Sequence, residues 1–192
     1  HWTWPGREGE VTPVFVYTNY PTAELFINGK SYGKQSKNNS SLKNRYRLMW
    51  MDTKYEPGTV KVVAYDENGK AVAEKEIRTA GKPHRIELSA DRSELSANGK
   101  DLSFINVRVV DKDGNLIPDA TNQIEFKVKG AGSYRAAANG NSVSLELFHH
   151  PRMKLFSGQL TAIVQSGDKA GEITFEATTK GLKGAKLKIV TK

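Results

Sequence analysis

The chain has 192 residues, no cysteine and a net charge of +8, with 38% hydrophobic and 26% charged residues. This length suits two modules of about 100 residues, each with a core of its own. The lack of cysteine excludes disulfides, thiolate metal sites and cysteine nucleophiles, and no apolar run approaches the roughly 18 residues that a membrane span needs. We therefore expect a globular protein with no membrane span.

The excess of basic residues does not form one stripe. Lys127 and Lys129 alternate with apolar residues, as on the solvent face of a strand, and so do Lys186 and Lys188. Only the stretch 34–47 is locally basic. Because a nucleic-acid groove needs a contiguous basic surface with stacking aromatic side chains, we expect no nucleic-acid partner.

In chain order, the first clear element is a hairpin. Leu25 and Ile27 point to one side of a predicted strand, and Asn28-Gly29 follows them. Asn-Gly favours the positive φ values of a two-residue hairpin turn. The next strand-like run, 45–51, contains Trp50, whose bulk suits a sandwich core.

The boundary between the modules is predicted at 79–83. These residues follow the strand-like run 71–78 and precede a new strand at 85–88, and Pro83 keeps Lys82 extended. The predicted domains are therefore 1–82 and 83–192. Because the sequence starts at His1 without a methionine or a leader, we expect it to be part of a longer protein.

A period of two is clearest in the second half. Ile105, Val107 and Val109 alternate with polar residues, which is typical of a half-buried strand. The same alternation recurs at Ile124/Phe126/Val128, Ile173/Phe175/Ala177 and Leu187/Ile189. Turn pairs lie between apolar runs at Asn28-Gly29, Asn68-Gly69, Asn98-Gly99, Asp113-Gly114 and Asn139-Gly140. The sequence therefore predicts an all-β protein of two consecutive immunoglobulin-like antiparallel β-sandwich domains, a barrel being less suited to this module size.

Two segments are more specific than the composition. The first is the run His1-Trp2-Thr3-Trp4-Pro5-Gly6, followed by Glu24-Leu25-Phe26-Ile27-Asn28-Gly29-Lys30. It is similar to the sandwich that follows the catalytic barrel in bacterial family 2 glycoside hydrolases. Most of 86–188 resembles their C-terminal immunoglobulin-like domain, through pieces such as 88–92, 111–115 and 139–141. Within 130–139 the sequence departs from the family, which usually places another glycine before Asn-Gly.

The resemblance implies a parent enzyme of β-galactosidase type, in a family that also contains β-glucuronidases and β-mannosidases. Its retaining chemistry uses two glutamates about 5 Å apart on a barrel, and this chain has no barrel. We therefore expect no catalytic residue here. The implied function is an accessory region that braces the barrel of the same polypeptide and shapes the substrate cleft, in the periplasm or outside the cell.

Aromatic residues are the candidate site residues. Trp2 and Trp4 share a side if their segment is extended. One hypothesis is that they pack against the barrel, and another is that His1, Trp2 and Trp4 reach the rim of the substrate pocket.

A second group suggests an alternative function. Tyr32, Tyr46 and Tyr55 lie around the basic stretch and could form an exposed platform for glycans, as in an independent carbohydrate-binding module. A structural spacer pair of a bacterial surface protein is a further alternative.

Other polar motifs do not predict chemistry. His149 and His150 point to opposite faces if they lie on a strand, and the run from Asp111 lacks the glycine and glutamate of an EF-hand loop. We therefore expect no metal and no cofactor. Five carboxylates, none with a positioned partner, are interpreted as solvated: Glu24, Asp52, Glu56, Glu125 and Glu146.

Overall fold

A computed structural model describes residues 1–192, which form strands, turns and loops without any helix. The prediction of an all-β protein is thus confirmed. The chain divides into two compact units, unit 1 (His1–Thr79) and unit 2 (Ala80–Lys192). No helix long and apolar enough to cross a membrane is present.

Unit 1 has six strands in two sheets. A four-stranded sheet has the order β3-β2-β5-β6, and a two-stranded sheet pairs β1 with β4. The strands are β1 (Val14–Val16), β2 (Thr22–Ile27), β3 (Lys30–Ser36), β4 (Leu48–Trp50), β5 (Thr59–Tyr65) and β6 (Ala71–Arg78).

Unit 2 has nine strands in two larger sheets. One has the order β12-β10-β14-β15-β8 and the other β11-β13-β9-β7. All neighbours are antiparallel except β15 and β8. The strands are β7 (Arg85–Ala90), β8 (Glu94–Leu95), β9 (Leu102–Val110), β10 (Gln123–Gly130), β11 (Gly132–Ala138), β12 (Arg152–Lys154), β13 (Gln159–Ser166), β14 (Gly171–Thr178) and β15 (Ala185–Thr191).

The core of unit 2 follows the period of two. Ile105, Val107 and Val109 of β9 are fully buried, as predicted, and so are Ile173 and Phe175 of β14. A strand points alternate side chains to opposite faces, so these residues meet between the two sheets. Each large side chain buried in this way stabilises the fold by about 1.5 to 3 kcal/mol.

The core of unit 1 combines a strand face with isolated aromatic residues. Leu25 and Ile27 of β2 are buried as predicted, and Trp50 of β4 is buried with its Nε1 donating to Gly33 O at 3.1 Å. Trp2 and Tyr55, which lie outside any strand, complete this core.

The predicted turns differ in what they connect. Asn28 and Gly29 have φ values of 50° and 79° and join β2 to β3, as expected of a two-residue hairpin. Asn139-Gly140 instead begins a long connection from β11 to β12. The Asn139 side chain fixes the start of this connection, because it accepts from Asn141 N at 3.0 Å and donates to Lys154 O at 3.0 Å.

Candidate functional site at the amino-terminal aromatic cluster

Trp2 anchors the start of the chain in the core of unit 1. Its side chain is 4% exposed, and its Nε1 donates a hydrogen bond to Glu56 O at 2.8 Å. Its ring meets that of Tyr55 edge to face, with 5.2 Å between the centroids. Trp2 is therefore a structural residue of this unit.

Hydrogen bonds to the backbone fix the same segment. Thr79 Oγ1 donates to Trp2 O at 2.6 Å, and Trp4 N donates to Tyr55 Oη at 3.2 Å. Tyr55 N in turn donates to Glu10 O at 2.9 Å. The residues around Trp2 are thus held from both sides, which gives the neighbouring side chains a defined position.

His1, Trp4 and Arg7 form a partly exposed surface on this anchored segment, which we call the His1 cluster. The His1 and Trp4 rings lie 4.2 Å apart between centroids, and Arg7 Cζ lies 5.7 Å from the Trp4 ring. Arg7 also pairs with Glu10 at 3.1 Å, an exposed ion pair that contributes little stability. An indole face flanked by a cation and an imidazole can stack on an apolar or sugar surface.

The structure separates the three residues predicted at the substrate rim. His1 and Trp4 keep exposed ring surface, whereas the ring of Trp2 lies in the core of unit 1. Trp2 acts by holding its neighbours in place. Arg7 belongs to the same surface and escaped the sequence reasoning, although an arginine three residues after a tryptophan was a visible signal.

The three tyrosines predicted as a platform do not come together. Tyr55 is 1% exposed, so the expectation that it offers a ring face to solvent is corrected: the ring packs on Trp2 instead. Tyr32 is half-buried against the core, with Lys30 Nζ 5.8 Å from its ring. Only Tyr46 is well exposed, at 65%, and Arg45 Cζ lies 5.9 Å from its ring.

Glu24 is the carboxylate with the most side-chain partners in unit 1. A hydrogen bond from Ser31 Oγ at 2.6 Å lowers the pKa of Glu24, against some desolvation, and Tyr65 Oη at 3.0 Å and the charge of Lys34 lower it further. Burial first, and then Glu24, raises the pKa of Tyr65. The expectation that Glu24 has no positioned partner is thus wrong, because two donors hold it ionised rather than poised as an acid or base.

Asp111 is the most strongly perturbed carboxylate of unit 2. Burial opposes its ionisation, but hydrogen bonds from Gly81 N, the Asn115 side chain and backbone, and Asp113 N outweigh burial and lower its pKa to about 2. Its Oδ1 accepts from Asn115 N at 2.8 Å and its Oδ2 accepts from Gly81 N at 2.8 Å. Its side chain contacts the turn 111–115 and the backbone of Gly81, so the role of Asp111 is structural.

No group of three or more His, Cys, Asp or Glu side chains is arranged to hold a metal ion. The rings of His149 and His150 meet edge to face at 4.7 Å. They lie just before β12 in the connection from β11, where Tyr134 Oη donates to His150 O at 2.7 Å.

This connection also exposes an apolar surface that the sequence reasoning missed. Leu145 is 96% exposed and Val143 81%, and Leu147 and Phe148 are exposed as well. Their alternation looks like that of a buried strand, so the sequence carried no signal that they face outward. Groups of exposed apolar side chains are more frequent at interaction sites than elsewhere on a protein surface.

Comparison with known proteins shows the family to which the chain belongs. Residues 86–188, more than half of the chain, match the family described as glycoside hydrolase family 2 C-terminal domain 5. The chain belongs to the C-terminal region of glycoside hydrolase family 2. Residues 9–73 match a second family, described as a domain of unknown function, DUF4982.

The similar proteins are much longer than this chain. A β-galactosidase, BoGH2A, from Bacteroides ovatus is 46% identical over 98% of this chain, which covers 21% of that protein. A glycosyl hydrolase family 2 member from Bacteroides cellulosilyticus is 37% identical, with a TM-score of 0.89 over 100% of this chain and 24% of that one. A β-glycosidase from Bacteroides vulgatus is 30% identical, with a TM-score of 0.91 over 99% of this chain and 24% of that one. This family 2 chain thus spans about a fifth to a quarter of the length of these relatives.

Proposed function

We propose that this chain is a non-catalytic accessory region of a family 2 β-galactosidase, and that it braces the catalytic barrel of the same polypeptide. The observation that carries the proposal is the His1 cluster. His1 is exposed and Trp4 is half-buried against the core of unit 1, on a segment that contacts with Trp2, Tyr55 and Thr79 anchor. A rigid, partly apolar surface loses little entropy when a partner covers it, so it suits a permanent contact.

Two further observations support this proposal. Unit 2 exposes Val143, Leu145, Leu147 and Phe148, an apolar group that a partner would remove from water. The relatives include a protein named β-galactosidase in which the matched region is 21% of the length, which leaves room for a barrel in the remainder.

The same proposal places His1 and Trp4 toward the barrel, where they would shape one wall of the substrate cleft. It also places the enzyme in the periplasm or outside the cell, as cell fractionation would show. An independent glycan-binding module has less support, because Tyr55 is buried and the rings of Tyr32 and Tyr46 contact no other aromatic ring.

Kinetics of the intact enzyme test the proposal. Trp4→Ala should lower kcat/KM for an aryl β-galactoside by about tenfold, which corresponds to the loss of about 1.4 kcal/mol of interaction, and should lower the melting temperature. Tyr46→Ala is the matched control, since it removes an exposed aromatic ring of the same unit outside the His1 cluster. Unchanged kinetics and melting in Trp4→Ala would remove the proposed role of this cluster.

A further inference from the structure

The smaller sheet of unit 1 covers only part of the larger one. β1 and β4 have three residues each, and β4 contacts β2 and β3 of the four-stranded sheet. β1 pairs with β4 along one edge, and no strand pairs with its other edge. On that side β5 is covered only in part, with Val60 and Ala64 buried, whereas every residue of β6 is exposed.

The inner face of the four-stranded sheet carries three rows of residues that run across β2, β5 and β6, from the core to the exposed strand. From the strand registers, the rows are Ile27–Val60–Ile77, Leu25–Val62–Lys75 and Ala23–Ala64–Ala73. In the first row the exposed fraction rises from 1% at Ile27 through 7% at Val60 to 40% at Ile77. The apolar face therefore extends beyond the layer that covers it.

A groove of about 350 Å³ lies between β1 and this face. Residues of β1 and Tyr17 form one wall, and Val60, Val62 and Ala64 of β5 lie on the other side with Ala73 and Ile77 of β6. Apolar side chains thus line the groove beside a strand edge that has free backbone donors and acceptors. Such an edge readily accepts an added strand.

Two charged residues of β6, Glu74 and Lys75, also line the groove, and Glu74 is paired with Lys61. The other basic residues of this hairpin that lie on strands have acidic partners, since Lys61 pairs with Glu74 and Arg78 with Glu76, both at 2.6 Å. Lys75 lies in the middle row and makes no salt bridge. A carboxylate in the groove would therefore find an unpaired ammonium group between two apolar positions.

We propose that an extended segment from elsewhere in the same family 2 polypeptide adds a strand to the free edge of β1 and fills this groove. The segment carries apolar side chains at positions i and i+4 and an aspartate or glutamate at i+2, facing Lys75. These positions match the spacing of the three rows, because alternate residues of a strand face one side. The inference rests on the proposed function, since it names the part of the enzyme's surface that receives the rest of the chain.

Three features favour this occupant over others. The free edge needs a backbone partner, which a sugar or a lipid cannot supply. An occupant that contacts all three rows needs side chains at every second residue, as on one face of a strand. A segment of the same polypeptide is also present at high effective concentration, and the relatives have most of their length outside the matched region.

Amide hydrogen exchange tests the proposal directly. The amides of 14–18 that do not face β4 should exchange about tenfold or more slowly in the intact enzyme than in the 192-residue chain alone. Lys75→Glu should restore fast exchange in the intact enzyme, because it repels the acidic side chain. Ile77→Thr, which keeps a β-branched residue on the apolar row, should do so in part.

Lys70→Glu is the matched control. Lys70 lies in the turn of the same hairpin, makes no salt bridge and does not line the groove, so exchange at β1 should not change. Circular-dichroism melting of each variant of the 192-residue chain verifies that it folds.

Equal exchange rates at β1 in the chain and in the intact enzyme would overturn the proposal. So would protection in the isolated chain that disappears on dilution together with a dimer in sedimentation, because the occupant would then be a second copy. Reduced kcat/KM in Trp4→Ala with an unprotected β1 would leave the bracing function standing and remove only the added strand.

Discussion

The two units close their cores in different ways. Unit 2 places a five-stranded sheet against a four-stranded one, and regular alternation along β9, β13 and β14 fills the space between them. Unit 1 places only a two-stranded sheet against its four-stranded one and completes the core with Trp2, Trp50 and Tyr55. In unit 2 the alternating strand residues supply most of the buried apolar surface. Unit 1 depends more on Trp2, Trp50 and Tyr55, and leaves β6 exposed to a partner.

This difference predicts that large effects in unit 2 come from strand residues. Phe175→Ala removes a fully buried ring that stacks on Phe126 with 5.7 Å between the centroids. It should lower the free energy of unfolding of unit 2 by about 4 kcal/mol, as measured from amide exchange along β14 and β15. Phe156→Ala, which truncates a ring that is 45% exposed, should cost much less. An equal loss of unfolding free energy in Phe175→Ala and Phe156→Ala would contradict the position of the core of unit 2.

In unit 1 the large effect should come from a residue outside the strands. Trp2→Ala removes a buried indole and its hydrogen bond to Glu56 O. It should lower the free energy of unfolding of unit 1 by about 3 kcal/mol. Trp4→Ala should cost about 1 kcal/mol or less, because Trp4 is only partly buried. All three tryptophans lie in unit 1, so tryptophan fluorescence during urea unfolding reports on this unit. If the two variants were equally stable, the anchor role of Trp2 would be wrong.

Backbone packing in unit 2 differs between a tight site and an open one, and two glycine substitutions measure this difference. A Cβ on Gly158 would lie 2.0 Å from Ile117 O, and its φ of 77° already disfavours a side chain. Gly158→Ala should cost about 2 to 3 kcal/mol, which combines the left-handed backbone with steric overlap. Gly140→Ala has nearly the same φ, 75°, but open space around it, so it should cost about 1 kcal/mol. Similar thermal midpoints for the two variants would contradict the close approach at Gly158.

The pH dependence of unit 2 should reflect Asp111. Its pKa of about 2 lies below the ordinary value of 3.8, so its contribution is complete above pH 4 and is lost as the pH falls through 2. The loss should be about 2 kcal/mol, since one pKa unit corresponds to 1.36 kcal/mol. Urea unfolding at pH 5 and pH 2 should show this difference, and Asp111→Asn should reduce it. Asp113→Asn, an exposed neighbour in the same turn, should leave the difference unchanged.

The sequence was most informative where alternation and turn chemistry agree. Ile105, Val107 and Val109 lie inside unit 2 as predicted, and Asn28-Gly29 forms the predicted hairpin turn. Alternation of apolar and polar residues is a local pattern. It can therefore be recognised in one strand when the rest of the fold is unknown.

The candidate site was only partly predictable. The run at His1 and Trp4 pointed to the right segment, but nothing near Tyr55 indicated that this lone tyrosine, outside any strand, packs on Trp2. In β6, alternation alone could not reveal that every residue is exposed, because whether a face is covered depends on a distant strand. Nor could the sequence show that β8 pairs with β15 in parallel.

The central claim is that the His1 cluster is a contact surface for the rest of a family 2 enzyme. Hydroxyl-radical footprinting of the 192-residue chain and of the intact enzyme tests it most directly. Trp4 should be oxidised readily in the chain alone and be protected in the intact enzyme, while Trp2 should be protected in both. Equal oxidation of Trp4 in the two proteins would contradict the claim.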